Sequence, residues 1–237
     1  MRSLSIVIPA YNEEARLPAT LETVIAYVRA SNFDFSEIIV VDDGSSDGTG
    51  ALVERTPGLH LLRNPGNRGK GYTVRHGMLE AKGEWILYTD ADLSTPIAEL
   101  EKLCAALKRE NADVAIGSRA LDRSLVGVHQ SAFRELSGRA FNLFMRLVTG
   151  LPFRDTQCGF KLFRASAARQ IFSRQKLDGF SFDVEDLVIA KSLGYRAIEV
   201  PVVWNNVEGT KVSMFSGVQS FVDLLAIRWR AIAGRYR

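Results

Sequence analysis

Several things that would set the class of this chain are scarce or missing. Of its 237 residues only two are cysteines, Cys104 and Cys158, far apart and without metal-ligand spacing. That excludes a disulfide-stapled scaffold and a cysteine-based zinc site, and it fits a reducing compartment. No apolar run reaches the ~18 residues a bilayer span requires. Met1-Arg2-Ser3 leads straight into a strand-like segment, which predicts no secretory signal. Internal repeats, low-complexity tracts and linkers are missing too. Charge of one sign is lacking: 30 Lys and Arg stand against 27 Asp and Glu, a formal net charge of +3. That argues against nucleic acid as a partner. No Gly-x-x-x-x-Gly-Lys-Ser/Thr phosphate loop occurs, and Gly66, Gly69 and Gly71 do not follow the dinucleotide order.

The length suits one sizeable core, and 46% apolar residues is ordinary for a globular protein. The charge is unevenly spread. Arg119, Arg123, Arg134, Arg139, Arg146, Arg154, Lys161, Arg164, Arg169 and Arg174 face only Asp122, Glu135 and Asp155 in the same span. Two readings stay open: solvated helix faces, or a surface for an anionic ligand or anionic membrane.

Strand-like and helix-like segments alternate through the first half. Leu4-Ser5-Ile6-Val7-Ile8, Ile38-Ile39-Val40-Val41, Leu59 to Leu62, Trp85-Ile86-Leu87-Tyr88 and Asp113 to Gly117 read as strands. Helices are expected from near Pro18, over Tyr72 to Ala81, and from Pro96 with Thr95 as its cap. Such alternation, in units of roughly 30 residues, predicts an α/β fold, a doubly wound and mostly parallel sheet. Ligands of such sheets bind beyond the carboxyl ends of the strands. Glu13, Asp42, Asp43, Asp90, Asp92 and Arg119 all fall at that edge.

The second half is expected to hold an amphipathic helix from Gln130 to Thr149 and a turn entering a strand at Asp155 to Phe163. A helix opened by Phe182 to Asp186, a strand over Ala197 to Trp204 and an amphipathic terminal helix from Phe215 follow. Both amphipathic helices admit two readings, core packing or a face lying on a membrane.

Trp85 to Thr95 is the centre of the pattern. An apolar strand delivers Asp90 and Asp92 at its end. Two carboxylates one residue apart repel unless a cation lies between them, and oxygen ligands suit a hard divalent ion. A solvated turn is the plainer reading of Asp-x-Asp taken alone. A signalling receiver domain also sets acids at strand ends, but it would leave the basic second half without a purpose.

Val7-Ile8-Pro9-Ala10-Tyr11-Asn12-Glu13, Val40 to Thr49 with Asp42-Asp43-Gly44-Ser45-Ser46-Asp47-Gly48, and Asp90-Ala91-Asp92 together resemble glycosyltransferase family 2, with its inverting GT-A fold. Gly117-Ser118-Arg119, Asp155 to Lys161 and Val184-Glu185-Asp186 resemble its polyprenyl-phosphate branch. Asp92-Leu93-Ser94-Thr95-Pro96 and Gly209-Thr210-Lys211-Val212-Ser213 are closer to the glucosyl members. The mannosyl members often carry a metal-holding Gln at the position of Ser94.

The resemblance covers nearly the whole chain. It implies one domain over 1–237, with a nucleotide-sugar half (1–119) and an acceptor half (120–237). Pro9, Tyr11, Glu13 and Asp43 would line the nucleoside pocket, with Asp42 in support. Asp90 and Asp92 would hold Mg²⁺ or Mn²⁺ against the diphosphate, and Lys70 would either reach the nucleotide or stand solvated in its loop. Arg119, Arg134, Lys211 and Ser213 would bind an acceptor phosphate. Glu185 and Asp186 would supply a base for a hydroxyl acceptor, or organise the site for a phosphate acceptor, which needs no base. The implied partners are UDP-glucose, a polyprenyl phosphate and a membrane surface. The implied location is peripheral, on the cytoplasmic face. GDP-mannose as donor and a sugar hydroxyl as acceptor are the alternatives.

Overall fold

The computed structural model describes residues 3–128, 132–206 and 214–237, with the side chains of 128, 132–137, 139–141 and 214–218 outside that description. Lys211 and Ser213 therefore lie outside the described residues.

Strands β1 (Ser3–Ala10), β2 (Phe35–Asp42), β3 (Leu59–Arg63), β4 (Trp85–Thr89), β5 (Val114–Ser118), β7 (Phe160–Arg164) and β8 (Ala197–Pro201) form one sheet, in the order β3-β2-β1-β4-β7-β5-β8. The pairs β1–β2, β1–β4, β2–β3 and β5–β8 are parallel, while β7 runs antiparallel to both β4 and β5. The expected mostly parallel sheet is thus present. A second pairing joins β6 (Val126–Val128) to β9 (Trp204–Asn205).

The strands are apolar on both faces because helices cover both. Ile6, Ile8, Ile38, Val40, Leu87, Ala115 and Leu162 point to one side. There they meet α1 (Leu17–Ala30) through Leu21 and Val24, and α4 (Leu100–Glu110) through Leu103 and Leu107. Their alternates Val7, Ile39, Val41, Ile86, Val114, Ile116 and Phe163 point to the other side. That side is covered by α3 (Lys70–Glu80), α5 (Ala132–Thr149), α6 (Ala165–Phe172), α7 (Phe182–Ser192) and α8 (Met214–Ile232). The short α2 (Thr49–Arg55) adds Val53 to the first layer. Asn111 ends α4 in the left-handed conformation at φ 46°, which asparagine tolerates better than most residues.

Two local expectations are corrected. Pro96 is extended rather than helical, so a 3₁₀ turn over Ile97–Glu99 precedes α4 and Thr95 caps nothing. The Thr95 hydroxyl lies instead 3.9 Å from Cys158 Sγ. The strand expected over Ala197 to Trp204 divides after Pro201. Val203 N–H then donates to Glu99 Oε2 (3.1 Å) and Asn205 N–H to the Ser94 carbonyl (2.8 Å).

Candidate active site

The cleft is built at the carboxyl ends of β1, β2 and β4. After β1 the chain turns at Asn12, in the left-handed region at φ 52°. Asn12 N–H donates to Ser45 Oγ (2.9 Å) and its Oδ1 accepts from Ser46 N–H (2.8 Å), so the first two loops are tied together. Glu13 is held by its backbone N–H on Thr49 Oγ1 (2.8 Å) and by a two-pronged pair with Arg16, both bonds 2.8 Å. Such paired bonds fix orientation as well as charge.

Asp42 and Asp43 end β2 with different tasks. Asp42 Oδ1 accepts from Ser45 N–H (3.0 Å) and so shapes its own loop. The Asp43 carboxylate accepts from Asn64 Nδ2 (2.7 Å), Arg68 N–H (2.9 Å) and Gly69 N–H (2.9 Å). It is a buried anion nested in the amides of the glycine-rich loop, an arrangement that satisfies both partners. The expectation gave Asp43 to a nucleoside base, but the structure already spends most of its accepting capacity on this loop.

Asp90 follows β4, its N–H on the Gly159 carbonyl at 3.0 Å. Its Oδ1 accepts from the Tyr88 hydroxyl (3.0 Å) and pairs with Lys70 Nζ (2.8 Å). Lys70 is therefore no solvated loop lysine; its side chain is 24% exposed and committed to the cleft. The other Asp90 oxygen, Oδ2, lies against Gly159, where an added Cβ would collide with it. Only glycine leaves room for that carboxylate. Asp92 Oδ1 accepts from Ser94 N–H (3.0 Å), beside Leu93 at φ 47°.

These groups enclose a cavity of about 380 Å³, within the range of small-ligand sites. Pro9, Tyr11, Glu13, Asp43, Lys70, Asp90 and Asp92, all expected in the site, line it together. Arg16, Asn67, Thr73 and Phe180 line it as well and were not anticipated. Arg16 had a weak signal in its three-residue spacing from Glu13, and Asn67 in its glycine-rich neighbours. Phe180 had none.

The remaining expected residues stand elsewhere. Arg119 is outside the lining. It grips Asp155 through Nε–Oδ2 (2.6 Å) and Nη2–Oδ1 (2.8 Å), and lies 5.4 Å from the Trp204 ring centre. Desolvation works against the Arg119 charge, but the Asp155 carboxylate outweighs it and raises the guanidinium pKa further. Arg134 belongs to α5, its side chain outside the described set.

Glu185 stands outside the cleft lining. It is fully buried, its Oε2 accepts from Lys176 N–H (2.9 Å) and Leu177 N–H (2.7 Å), and its Oε1 accepts from the Tyr236 hydroxyl (2.6 Å). It ties the chain before α7 to the C-terminal end of the chain. Asp186 is also buried and outside the cleft lining, with Oδ1 lacking a hydrogen-bond partner among the described residues. Burial, then the neighbouring Glu185 charge, pushes its carboxyl well above the usual range.

Lys161 is a further correction. Counted in the basic stretch as a surface charge, it is 1% exposed and paired with Asp183, 5.8 Å from the ring centres of Tyr88 and Phe182. Burial pushes its ammonium down to about 8.

Asp90 and Asp92 offer hard oxygens, the donor type a Mg²⁺ or Mn²⁺ ion prefers. Among the described residues no cluster of three or more His, Cys, Asp or Glu could hold a metal ion. A two-carboxylate set still fits such an ion where phosphate oxygens and water complete its shell.

A mostly parallel sheet flanked by helices, with acids gathered at its strand ends around one cleft, defines an α/β protein of the GT-A kind. Residues 5–172 match the family model for glycosyl transferase family 2, and the chain belongs to that family. It is 38% identical to a dolichyl-phosphate β-glucosyltransferase of Drosophila melanogaster, over 99% of this chain and 77% of that one. The human dolichyl-phosphate β-glucosyltransferase is 36% identical, over 100% of this chain and 78% of its own length. The fold is shared with glucosyl-3-phosphoglycerate synthase of Mycobacterium tuberculosis, crystallised with Mn²⁺, UDP-glucose and phosphoglyceric acid. The TM-score there is 0.71 at 18% identity, over 96% of this chain and 80% of that one. Mannosyl-3-phosphoglycerate synthase of Rubrobacter xylanophilus gives 0.72 at 18%, covering 99% and 76%.

Proposed function

We propose that this enzyme moves a glucosyl residue from UDP-glucose to the phosphate of a dolichyl-type polyprenyl phosphate, with inversion at the anomeric carbon. The observation that carries the reading is the extent of the likeness to dolichyl-phosphate β-glucosyltransferases. It runs over the full chain, past residue 172 where the family model stops, and so takes in α7, β8 and α8.

A phosphate oxygen of the lipid would attack the anomeric carbon as its bond to the donor diphosphate breaks, releasing UDP. The acceptor is already ionised at neutral pH, so no side chain need take its proton. That agrees with a cleft in which neither Glu185 nor Asp186 is a lining group. Asp90 and Asp92 would hold a divalent ion, which supplies charge to the leaving diphosphate. Tyr11, Glu13 and Asn67 would surround the nucleoside, and the loop anchored by Asp43 would set the cleft wall. The basic residues Arg134 and Lys211 are our candidates for holding the lipid phosphate. Arg119, the other expected phosphate contact, is paired with Asp155 outside the cleft lining.

No helix among the described residues is long and apolar enough to cross a membrane. Lipid access is assigned instead to α5 and α8, which meet through Phe144 and Phe221 with ring centres 5.1 Å apart. On α8 Val222, Leu225, Trp229 and Ile232 form one exposed apolar stripe, while Leu224 and Ile227 face the core. Leu143 and Leu147 of α5 are exposed as well. Arg228 is interspersed with the α8 stripe and Arg235 and Arg237 follow it in sequence, the mix expected of a helix lying in an anionic, cytoplasm-facing surface.

The donor is tested by incubating the protein with Mn²⁺, a short polyprenyl phosphate and either labelled UDP-glucose or labelled GDP-mannose. Label is expected in the organic phase from UDP-glucose. Label from GDP-mannose alone would overturn the donor assignment.

A further inference from the structure

We infer that Lys70 is an exchangeable counter-ion that occupies the metal-binding carboxylate of Asp90 until a nucleoside diphosphate arrives, and that its ammonium then passes to the diphosphate. The inference rests on reading Asp90 and Asp92 as the metal-holding pair.

Three contacts account for the Asp90 carboxylate. Tyr88 donates to Oδ1 at 3.0 Å, Lys70 Nζ sits on the same oxygen at 2.8 Å, and Oδ2 is packed against Gly159. Tyr88 is 1% exposed and locked in the sheet, and Gly159 is backbone. Neither can withdraw. Lys70 can: its side chain lies in the water-accessible cleft on a flexible stem, and an ammonium is a point charge without directional demands.

Its backbone, by contrast, is fixed. Gly69 precedes it at φ 96°, with no space for a Cβ beside the Asp178 carbonyl, 2.5 Å from where that Cβ would lie. Gly69 N–H is held by Asp43. The side chain therefore swings from a rigid pivot at the start of α3, between an acid on one side and the cavity on the other. A divalent cation entering alone has to displace a bound ammonium from Asp90. One entering with a diphosphate offers that ammonium a new anion. Metal and nucleotide should thus bind with mutual reinforcement, and Lys70 is the source of the coupling. Lys70 is in this sense a competitor of the metal for Asp90 and a direct contact for the nucleotide.

The test measures Mn²⁺ binding by electron paramagnetic resonance, without and with UDP, in wild type, Lys70→Met, Lys70→Arg and Asp92→Asn. Lys70→Met is expected to bind Mn²⁺ alone about tenfold tighter than wild type, and to bind UDP about tenfold weaker at saturating Mn²⁺, within the usual range of coupling between two sites. Lys70→Arg, which keeps the charge, should stay near wild type in both. Circular dichroism melting checks that each variant is folded.

If Lys70→Met leaves the affinity for Mn²⁺ alone unchanged or weaker, the counter-ion role is wrong. Unchanged UDP affinity at saturating Mn²⁺ would overturn the transfer to the diphosphate. Should Mn²⁺ bind with UDP in wild type equally well in Asp92→Asn, the metal reading fails and takes this inference with it. Loss of Mn²⁺ in Asp92→Asn with no change in Lys70→Met overturns the inference alone.

Discussion

Arg119 and Asp155 meet fork to fork, with Asp155 Oδ2 also accepting the Arg119 backbone N–H at 3.0 Å. The acid is 6% exposed and the guanidinium 29%. Asp155 N–H in turn donates to Glu199 Oε1 (2.8 Å), and Ser118 Oγ donates to the same oxygen (2.6 Å). The end of β5, the loop before β7 and β8 are therefore joined through one carboxylate. Replacing Asp155 by Asn removes the charge and leaves a largely desolvated arginine. The expected cost is about 3 kcal/mol, the lower end for breaking a buried pair because Arg119 is partly hydrated. Urea unfolding of Asp155→Asn beside wild type measures it, and a difference below about 1 kcal/mol, the size of an exposed pair, would show the pair to be a surface contact.

Asp186 gives a pH signature. Its carboxyl is raised by burial first and by Glu185 second. The folded state thus holds a proton above the ordinary carboxylate range that the unfolded chain has already released. Its contribution to stability is complete at low pH and is lost as pH rises through the folded value. Asp186→Asn has no such dependence. The variant should gain on wild type as pH rises from about 4, by up to about 1.4 kcal/mol per pH unit. Denaturation midpoints across that range decide it, and a constant difference would mean that Asp186 is ionised throughout. Transfer to a lipid phosphate should survive the same substitution.

Gly159→Ala probes the floor of the cleft. An added methyl would overlap Asp90 Oδ2 and push the carboxylate toward Lys70. Metal-dependent UDP affinity should fall about 10- to 100-fold, the scale seen when a ligand's support is altered. Calorimetry of UDP with Mn²⁺ reads this directly. Affinity equal to wild type would show that Asp90 is free to move aside.

The α8 stripe makes a prediction independent of the cleft. Trp229→Ser with Leu225→Ser removes two side chains that are 55% and 57% exposed. The thermal midpoint should hardly move, because neither supports the core. Sedimentation with anionic vesicles should fall at least about tenfold, given the apolar area withdrawn from the lipid boundary. Undiminished sedimentation would shift the membrane contact elsewhere.

The strands that carry the site were legible because their apolar runs, bounded by Asp, Asn and Gly, fix both element and end. Asp42, Asp90 and Asp92 could be placed at one edge from that alone. The insertion of β7 between β4 and β5 could not, since strand order is decided by distant pairing rather than local pattern. Glu185 and Asp186 are neighbours in sequence, yet one reaches Tyr236 and the other is buried in the field of Lys161 and Arg75, a division that only packing sets. Lys161 read as a surface charge because sequence carries its sign but not its burial. Phe180 entered the cleft through the segment before α7, whose Asp178 carbonyl accepts from Gly71 N–H (2.8 Å) across about a hundred residues of chain.

The most direct test of the account is the chemistry of the product. Wild-type protein, Mn²⁺ and UDP-glucose would be supplied in turn with a polyprenyl phosphate and with the corresponding polyprenol, and the glycolipid analysed by phosphorus and proton nuclear magnetic resonance. The account predicts a β-glucosyl phosphodiester from the phosphate, nothing from the alcohol, and no product with Asp92→Asn. An α-linked product, or transfer to the alcohol in preference to the phosphate, would contradict it.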